Sequence, residues 1–164
     1  MRPRRPVARG PISSWWKRRR CRTEPRRYHV SMAVQMALSR ILIRETDDTH
    51  IVELREVEGD RVFPIVIGFN EAAAIERRLM GQEPPRPQTH ELLANMIEQL
   101  GYQVIKIVIN DLREHTFFAR IYLTKSDHVV DIDSRPSDAI ALGVATDVPV
   151  YVEEHVLDQL VDPE

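Results

Sequence analysis

The sequence has one cysteine, Cys21, few aromatic residues and no long apolar run. A single cysteine excludes an intramolecular disulfide framework and a zinc site built on a CxxC pair, and it is typical of a reducing compartment. No stretch approaches the roughly 18 apolar residues of a membrane-spanning helix. We therefore expect a cytoplasmic protein that does not enter a membrane.

Several motifs of known chemistry are also missing. The chain has no GxxxxGK[ST] loop and no GxGxxG turn, which excludes the usual phosphate cradles for nucleotides. His90 and Glu91 begin like an HExxH zinc motif, but Ala94 stands where the second histidine belongs. The GxSxG, protein kinase and zinc deaminase signatures do not occur.

Charge divides the chain near residue 30. The first thirty residues hold eleven Lys and Arg against one acid, a balance of +10, and the remainder holds twelve bases against twenty-four acids, a balance of −12. The basic segment is rich in proline and has only Trp15 and Trp16 as large apolar neighbours, too little apolar surface to offset the entropy of ordering. We expect residues 1–30 to be a disordered tail and residues 31–160 to fold.

The basic tail has several interpretations. An Arg-rich, acid-poor leader is typical of an organelle transit peptide, and a basic segment with two tryptophans is suited to gripping nucleic acid. Met32 is alternatively the true start of the protein, because the composition changes within a few residues of it.

An offset of 67 residues relates the two halves of residues 31–160. Two strands joined by a polar turn begin at Ile51 and again at Phe118, and each hairpin precedes a short helix that opens with an acid and alanine, at Glu71 and Asp138. A further strand precedes each hairpin, over 36–43 and 104–109, and a last strand is predicted at 148–152.

Between these halves, an amphipathic helix is predicted from Thr89, a candidate cap, to Gly101, a left-handed stop. Its apolar face comprises Leu92, Leu93, Met96, Ile97 and Leu100. We therefore predict an α+β fold with two repeated strand–hairpin–helix units, a central amphipathic helix, and one or more mixed sheets covered by helices on one side.

The first candidate site is the proline-rich stretch 83–91, which runs into the central helix. Its prolines hold Arg86, Thr89 and His90 beside a helix N-terminus, where free N–H groups and partial positive charge suit a phosphate. The alternative is that the prolines only stiffen a connection, with Thr89 as a cap and His90 exposed.

The second candidate site is the stretch 131–138. Asp131 and Asp133 share one side of a strand and Asp138 opens the next helix, so these carboxylates are candidate ligands of Mg²⁺ or Mn²⁺. Arg135 is a candidate phosphate ligand. Alternatively, Ser134 or Ser137 caps the helix, Asp138 balances its dipole and Arg135 pairs with an Asp. The histidines at 50, 115, 128 and 155 fall at predicted turns or strand ends and are expected to be solvated.

These stretches, together with Phe63-Pro-Ile-Val-Ile-Gly and Glu71-Ala-Ala-Ala-Ile, resemble the bifunctional nuclease domain from about Met36 to Leu157. The most specific markers are Glu83-Pro-Pro-Arg-Pro-x-Thr-His90, the Asp111-Leu112 and Thr116-Phe117 strand pair, and Arg135-Pro-Ser-Asp-Ala-Ile-Ala-Leu142. Gln88, Glu91 and Ser134 depart from the family pattern without removing a charge.

The resemblance implies a nuclease that acts on RNA and on single-stranded or duplex DNA. It carries over, as motif positions, Arg86, Thr89, His90, Arg135, Ser137 and Asp138. In an enzyme, His90, Asp138 and Asp133 are the candidate catalytic groups, Arg86, Thr89, Arg135 and Ser137 hold substrate, and Asp131, Asp133 and Asp138 hold a metal. Arg77 and Arg78 would extend a basic groove.

The alternative is a non-enzymatic interaction domain that docks a partner or forms a homo-oligomer. Both candidate sites facing one concave surface would favour the enzyme, and opposite faces would oppose it.

Overall fold

Strands and helices make up most of residues 32–43 and 50–161, which are the residues that the computed structural model describes. The strands are β1 Ala33–Leu42, β2 His50–Glu56, β3 Val62–Ile67, β4 Gln103–Arg113, β5 Thr116–Lys125, β6 His128–Ser134 and β7 Val150–Glu153. The helices are α1 Phe69–Leu79, α2 Thr89–Gln99, α3 Pro136–Thr146 and α4 Glu154–Val161. The predicted α+β class is confirmed. The interpretations of residues 1–30 lie outside the described residues.

The seven strands form one mixed sheet in the order β3-β2-β1-β7-β4-β5-β6. Neighbouring strands are antiparallel except β4 and β7, which are parallel. The two hairpins, β2–β3 and β5–β6, therefore lie at opposite ends of the sheet, with β7 between the two three-stranded halves. A duplicated unit would give this order, but the internal repeat itself stays an interpretation.

One face of the sheet is apolar and carries helices. Side chains alternate along a strand, so the buried Ala119, Ile121 and Leu123 of β5 share this face. Helix α3 contacts β3, β4 and β5 as well as α1 and α2, and seven of its eleven residues are buried. Burial of each large aliphatic side chain stabilises the fold by about 1.5–3 kcal/mol. We call this face of the sheet the covered face and the other the open face.

The two halves of the sheet share one core. Phe63 of β3 meets Phe117 of β5 edge to face, with ring centroids 5.1 Å apart. The strand pair predicted at Asp111–Leu112 and Thr116–Phe117 is present, since Leu112 lies opposite Phe117 in the β4–β5 ladder. A substitution in this core is therefore expected to affect the packing of both halves.

Helix α2 differs from its prediction at its start and along its apolar face. Gln88, not Thr89, precedes the helix as its N-cap, and its backbone N–H donates to Oε2 of Glu91 at 3.0 Å. Gly101 does end the helix, with a φ of +77°. Of the predicted apolar face only Ile97 is buried, and Leu92, Leu93, Met96 and Leu100 are exposed.

Helix α4 was not predicted from the sequence. It follows β7 without a loop and buries Val156 and Leu157 in the core. Arg61 ties it to the first hairpin by donating to Glu154 at 2.7 Å and to Glu56 at 2.9 Å. Within residues 32–43 and 50–161, no helix is long and apolar enough to cross a membrane.

Candidate active site

The first turns of α1, α2 and α3 meet at one place on the covered side of the sheet. Each first turn contributes a polar side chain, namely Glu71 from α1, His90 from α2 and Asp138 from α3. Arg135 precedes α3 as its N-cap and joins them. We call Glu71, His90, Arg135 and Asp138 the first-turn cluster.

Arg135 bridges two carboxylates from different helices. Its Nε donates to Oδ2 of Asp138 at 2.7 Å, and its Nη2 donates to Oε1 of Glu71 at 2.6 Å. The guanidinium thus fixes α1 and α3 relative to each other by charge-assisted hydrogen bonds. It is also 68% exposed, so its remaining donors face solvent.

His90 approaches the same aspartate from α2. Its Nε2 lies 3.5 Å from Oδ1 of Asp138, and its side chain is 13% exposed. Residues 48 positions apart in sequence thereby form an imidazole–carboxylate pair at the rim of the core. Such a pair orients an imidazole for proton transfer.

Local electrostatics at the cluster are mixed, because one guanidinium and three helix N-termini adjoin two carboxylates. The N-terminus of a helix carries free N–H groups and partial positive charge, and side chains from three such ends meet here. The hydrogen bonds that Arg135 donates to Asp138 and then to Glu71 raise its pKa, so its guanidinium stays protonated. The arrangement is suited to an anion with several acceptor oxygens, provided that it competes with the two carboxylates for Arg135.

The predicted three-aspartate metal site is not assembled. In the β5–β6 ladder, Asp131 lies opposite Tyr122 and Asp133 opposite Arg120, positions that alternate with the buried Ala119 and Ile121. Asp131 and Asp133 therefore lie on the open face, whereas Asp138 lies on the covered side. The error arose because a helix start redirects the chain between residues 133 and 138.

Asp131, a candidate metal ligand in the sequence, pairs with an arginine in the structure. It accepts a hydrogen bond from Nη1 of Arg120 at 2.9 Å. Over residues 32–43 and 50–161, no group of three or more His, Cys, Asp and Glu side chains is arranged to hold a metal ion. The donor set proposed for Mg²⁺ or Mn²⁺ does not fit this geometry, and the metal requirement itself stays a prediction.

Comparison with known sequences decides the family. The sequence model of the bifunctional nuclease domain matches residues 52–162. The chain belongs to the bifunctional nuclease domain family. The resemblance predicted from the sequence motifs is confirmed.

Relatives of this bifunctional nuclease domain occur in bacteria and plants. An uncharacterized protein of Mycobacterium tuberculosis is 42% identical over 119 residues, which cover 73% of this chain and 71% of that protein. Bifunctional nuclease 2 of Oryza sativa subsp. japonica is 30% identical over 114 residues, covering 67% of this chain and 35% of the plant protein. Bifunctional nuclease 1 of Oryza sativa subsp. indica is 25% identical over 118 residues, covering 70% of this chain and 36% of the plant protein. The chain thus spans about a third of the length of these plant relatives.

The other predicted substrate-binding residues of the domain differ in solvent exposure. Arg86 and Thr89 are exposed, Arg86 in the loop before α2 and Thr89 as the first residue of that helix. Ser137 is only 7% exposed and packs in α3. Neither Ser134 nor Ser137 caps α3, because Arg135 is the N-cap and Pro136 begins the helix.

A basic side chain lies beside the loop that leads into α2 and His90. Arg77, from the last turn of α1, donates through Nη2 to the side chain of Gln88. Arg78 beside it is exposed. Arg77 thus lies beside the start of α2, and the basic groove itself stays a prediction.

Glu71 is the member of the cluster that was not predicted as a site residue. Its carboxylate folds back over Gly68, where an added Cβ would lie 2.5 Å from Oε2 of Glu71. Glycine at this position therefore leaves room for the carboxylate. The signal was present in the sequence, since Glu71 and Asp138 correspond at the 67-residue offset.

His50 was expected to be solvated and is instead 4% exposed. It lies opposite Ile67 in the β2–β3 ladder, and its ring centroid is 5.5 Å from that of Phe69. Its Nδ1 has no hydrogen-bond partner among the described residues. The expectation was wrong because the strand begins at His50 itself, which turns its side chain inward.

Proposed function

We propose that this chain is a nuclease that hydrolyses phosphodiester bonds of RNA and DNA at the first-turn cluster. The observation that carries the proposal is the approach of His90 Nε2 to Asp138 Oδ1 at 3.5 Å, beside a guanidinium bound to the same aspartate. Membership of the bifunctional nuclease domain family supports the same activity. Two motifs far apart in sequence thereby supply an acid–base group and a phosphate ligand at one place.

In this proposal Arg135 holds the scissile phosphate. Its exposed donors bind non-bridging oxygens, and the first-turn N–H groups stabilise the negative charge on the phosphoryl oxygens in the transition state. Glu71 and Asp138 hold the guanidinium in place until the phosphate competes for it. Arg77, Arg78 and Arg86 supply positive charge around a domain whose overall balance from residue 31 onward is −12.

His90 serves as the general base. It takes a proton from a water molecule whose oxygen forms a new bond to phosphorus, while the bond from phosphorus to the leaving oxygen breaks and that oxygen takes a proton from solvent. Asp138 orients the imidazole and stabilises its protonated form. No step is assigned to a metal ion, because the proposed aspartate ligands are not brought together.

The test is cleavage of end-labelled single-stranded RNA and DNA by the full chain, with Mg²⁺, Mn²⁺ or EDTA. His90→Ala and Asp138→Asn are measured beside the unsubstituted chain, with folding checked by circular dichroism. The proposal predicts cleavage that both substitutions reduce by about 100-fold or more. Cleavage that survives both, or no cleavage by the unsubstituted chain under any condition, contradicts the proposal. Comparison of Mg²⁺, Mn²⁺ and EDTA tests the predicted metal requirement separately.

A non-enzymatic interaction domain is the second candidate function. The stripe on α2 favours it, because Leu92 is 51% exposed, Met96 54% and Leu100 64%, and a solvent-facing apolar stripe is typical of a contact surface. A second copy of the chain is the proposed occupant. Light scattering tests this directly: a dimer that Met96→Ser converts to a monomer supports self-association, and a monomeric unsubstituted chain opposes it.

A further inference from the structure

Phe69 presents an aromatic ring to solvent two residues before Glu71 of the first-turn cluster. It is the first residue of α1, and it is 62% exposed although the chain has only four phenylalanines. Phe63, by contrast, is fully buried in the core. A ring that is 62% exposed gains little from packing in the free protein.

The ring of Phe69 is supported from below by His50. Their centroids are 5.5 Å apart and their planes are inclined by 55°, so the phenylalanine ring contacts a buried imidazole. His50 itself is held in the β2–β3 ladder opposite Ile67. A ring that is fixed on one side and open on the other loses little side-chain entropy when a flat ligand covers it.

The surroundings of the ring also favour an anionic ligand. Gly68 is the N-cap of α1, so no side chain caps the helix N-terminus, which carries free N–H groups. Nδ1 of His50, a residue 4% exposed, has no hydrogen-bond partner among the described residues. This nitrogen is buried, so a ligand on the exposed side of Phe69 does not reach it, and the helix N-terminus is the group that favours an anion.

The ring lies close to the proposed chemistry. Glu71, two residues after Phe69, hydrogen-bonds Arg135 at 2.6 Å. Both residues lie in the first turn of α1, about 3 Å apart along the helix axis. A base on Phe69 is therefore placed beside the helix end that also carries Glu71, the carboxylate partner of Arg135.

We propose that Phe69 is a base-stacking subsite for one unpaired nucleotide next to the scissile phosphate. This inference rests on the proposed nuclease function and names its preferred substrate class, single-stranded nucleic acid. A base inside a duplex already has neighbours on both faces, so only an unpaired base lies flat on the ring. Every base has a flat face, so the subsite distinguishes strandedness and not sequence.

The test compares two single-stranded oligonucleotides of equal charge, one carrying thymine bases and one carrying abasic sites throughout. Binding to the full chain is measured by fluorescence anisotropy over a salt series, with every protein carrying His90→Ala to prevent cleavage. Raised salt weakens phosphate contacts, including those of the basic tail, far more than stacking. The His90→Ala chain should bind the thymine strand more tightly than the abasic strand by roughly 5- to 100-fold.

Variants of Phe69 decide whether that preference belongs to this ring. Phe69→Ala and Phe69→Leu should bring the ratio of the affinities for the thymine and abasic strands close to one. Phe69→Tyr should retain the ratio of the unsubstituted ring. Val66→Ala is the matched control, because Val66 is a 68% exposed apolar residue of the adjacent strand. Phe69→Leu keeps an apolar side chain and answers the question if Phe69→Ala fails to fold.

Parallel cleavage assays without His90→Ala separate the two proposals. If the unsubstituted chain cleaves but the base preference is absent, or persists in Phe69→Leu, the subsite is wrong and the nuclease proposal stands. If the chain binds the base-containing strand through Phe69 but does not cleave, the nuclease proposal is wrong and a binding subsite remains. If it neither binds nor cleaves, both are overturned.

Discussion

The two faces of the sheet carry similar arginine–aspartate pairs in different surroundings. On the covered side, Arg135 pairs with Asp138 and Glu71, and His90 joins the same aspartate. On the open face, Arg120 donates a hydrogen bond to Asp131 at 2.9 Å. Residues 133 and 138 are five positions apart but lie on opposite sides, because a strand alternates its side chains and a helix start redirects the chain. The presence of arginine and aspartate in one stretch of sequence therefore does not identify a site. A site is indicated where side chains from separate helices meet.

The largest expected effect compares two histidine–acid pairs. His90 lies 3.5 Å from Asp138 and is 13% exposed, while His155 lies 3.4 Å from Glu153 and is 50% exposed. His90→Ala should reduce kcat for single-stranded DNA about 100- to 10,000-fold, since only this imidazole adjoins the proposed phosphate ligand. His155→Ala should leave kcat unchanged. Equal losses in both variants would remove the distinction between the pairs.

The second comparison concerns stability. Ile121 is 5% exposed on the covered face, and Val129 is 37% exposed on the open face. Ile121→Ala should lower the free energy of unfolding by about 2–5 kcal/mol, because it leaves a cavity under the helices. Val129→Ala should change it by less than about 0.5 kcal/mol. Urea denaturation of both variants checks this, and similar losses would mean that the open face is covered in solution.

The third comparison replaces one arginine on each face of the sheet with lysine. Arg135→Lys keeps the charge but loses the planar geometry that binds two acceptors at once. We expect kcat/KM to fall roughly 10- to 100-fold, which corresponds to about 1.4–2.8 kcal/mol. Arg120→Lys, in the pair with Asp131, should retain full kcat/KM. A loss confined to Arg120→Lys would move the substrate to the open face.

The smallest expected effect is a pH dependence of stability away from both candidate sites. The hydrogen bond from Arg61 lowers the pKa of Glu56 below its ordinary value. A carboxyl whose folded-state pKa is lowered stabilises the protein above its unfolded pKa and loses that contribution as the pH falls through the folded value. Arg61→Gln should therefore be less stable than the unsubstituted chain at about pH 7, with the difference shrinking below about pH 4. Urea midpoints at several pH values measure this, and a difference independent of pH would contradict it.

Much of the fold was predictable from local patterns. The strands of both hairpins, the helices after them and the stop at Gly101 follow from alternation, turn residues and glycine chemistry. The short helix α4 was missed because it follows β7 without a loop or a turn signal. The apolar face of α2 was identified, but its exposure was not predictable, because an apolar face does not say which element covers it.

The site was predictable only in part. Motif positions identified His90, Arg135 and Asp138, but no local pattern shows that α1 delivers Glu71 to the same guanidinium. The strand period places Asp131 and Asp133 on one side, yet the side that faces the helices depends on the register of the whole sheet. Burial of His50 likewise depends on its partner strand.

Cleavage by Asp138→Asn beside the double variant Asp131→Asn/Asp133→Asn tests the central claim most directly. The substitutions remove the same charge type, one from the first-turn cluster and two from the open face. Initial rates on labelled single-stranded DNA should fall about 100-fold or more for Asp138→Asn and stay near the unsubstituted rate for the double variant. A double variant that loses cleavage while Asp138→Asn retains it would place the chemistry on the open face and contradict the assignment.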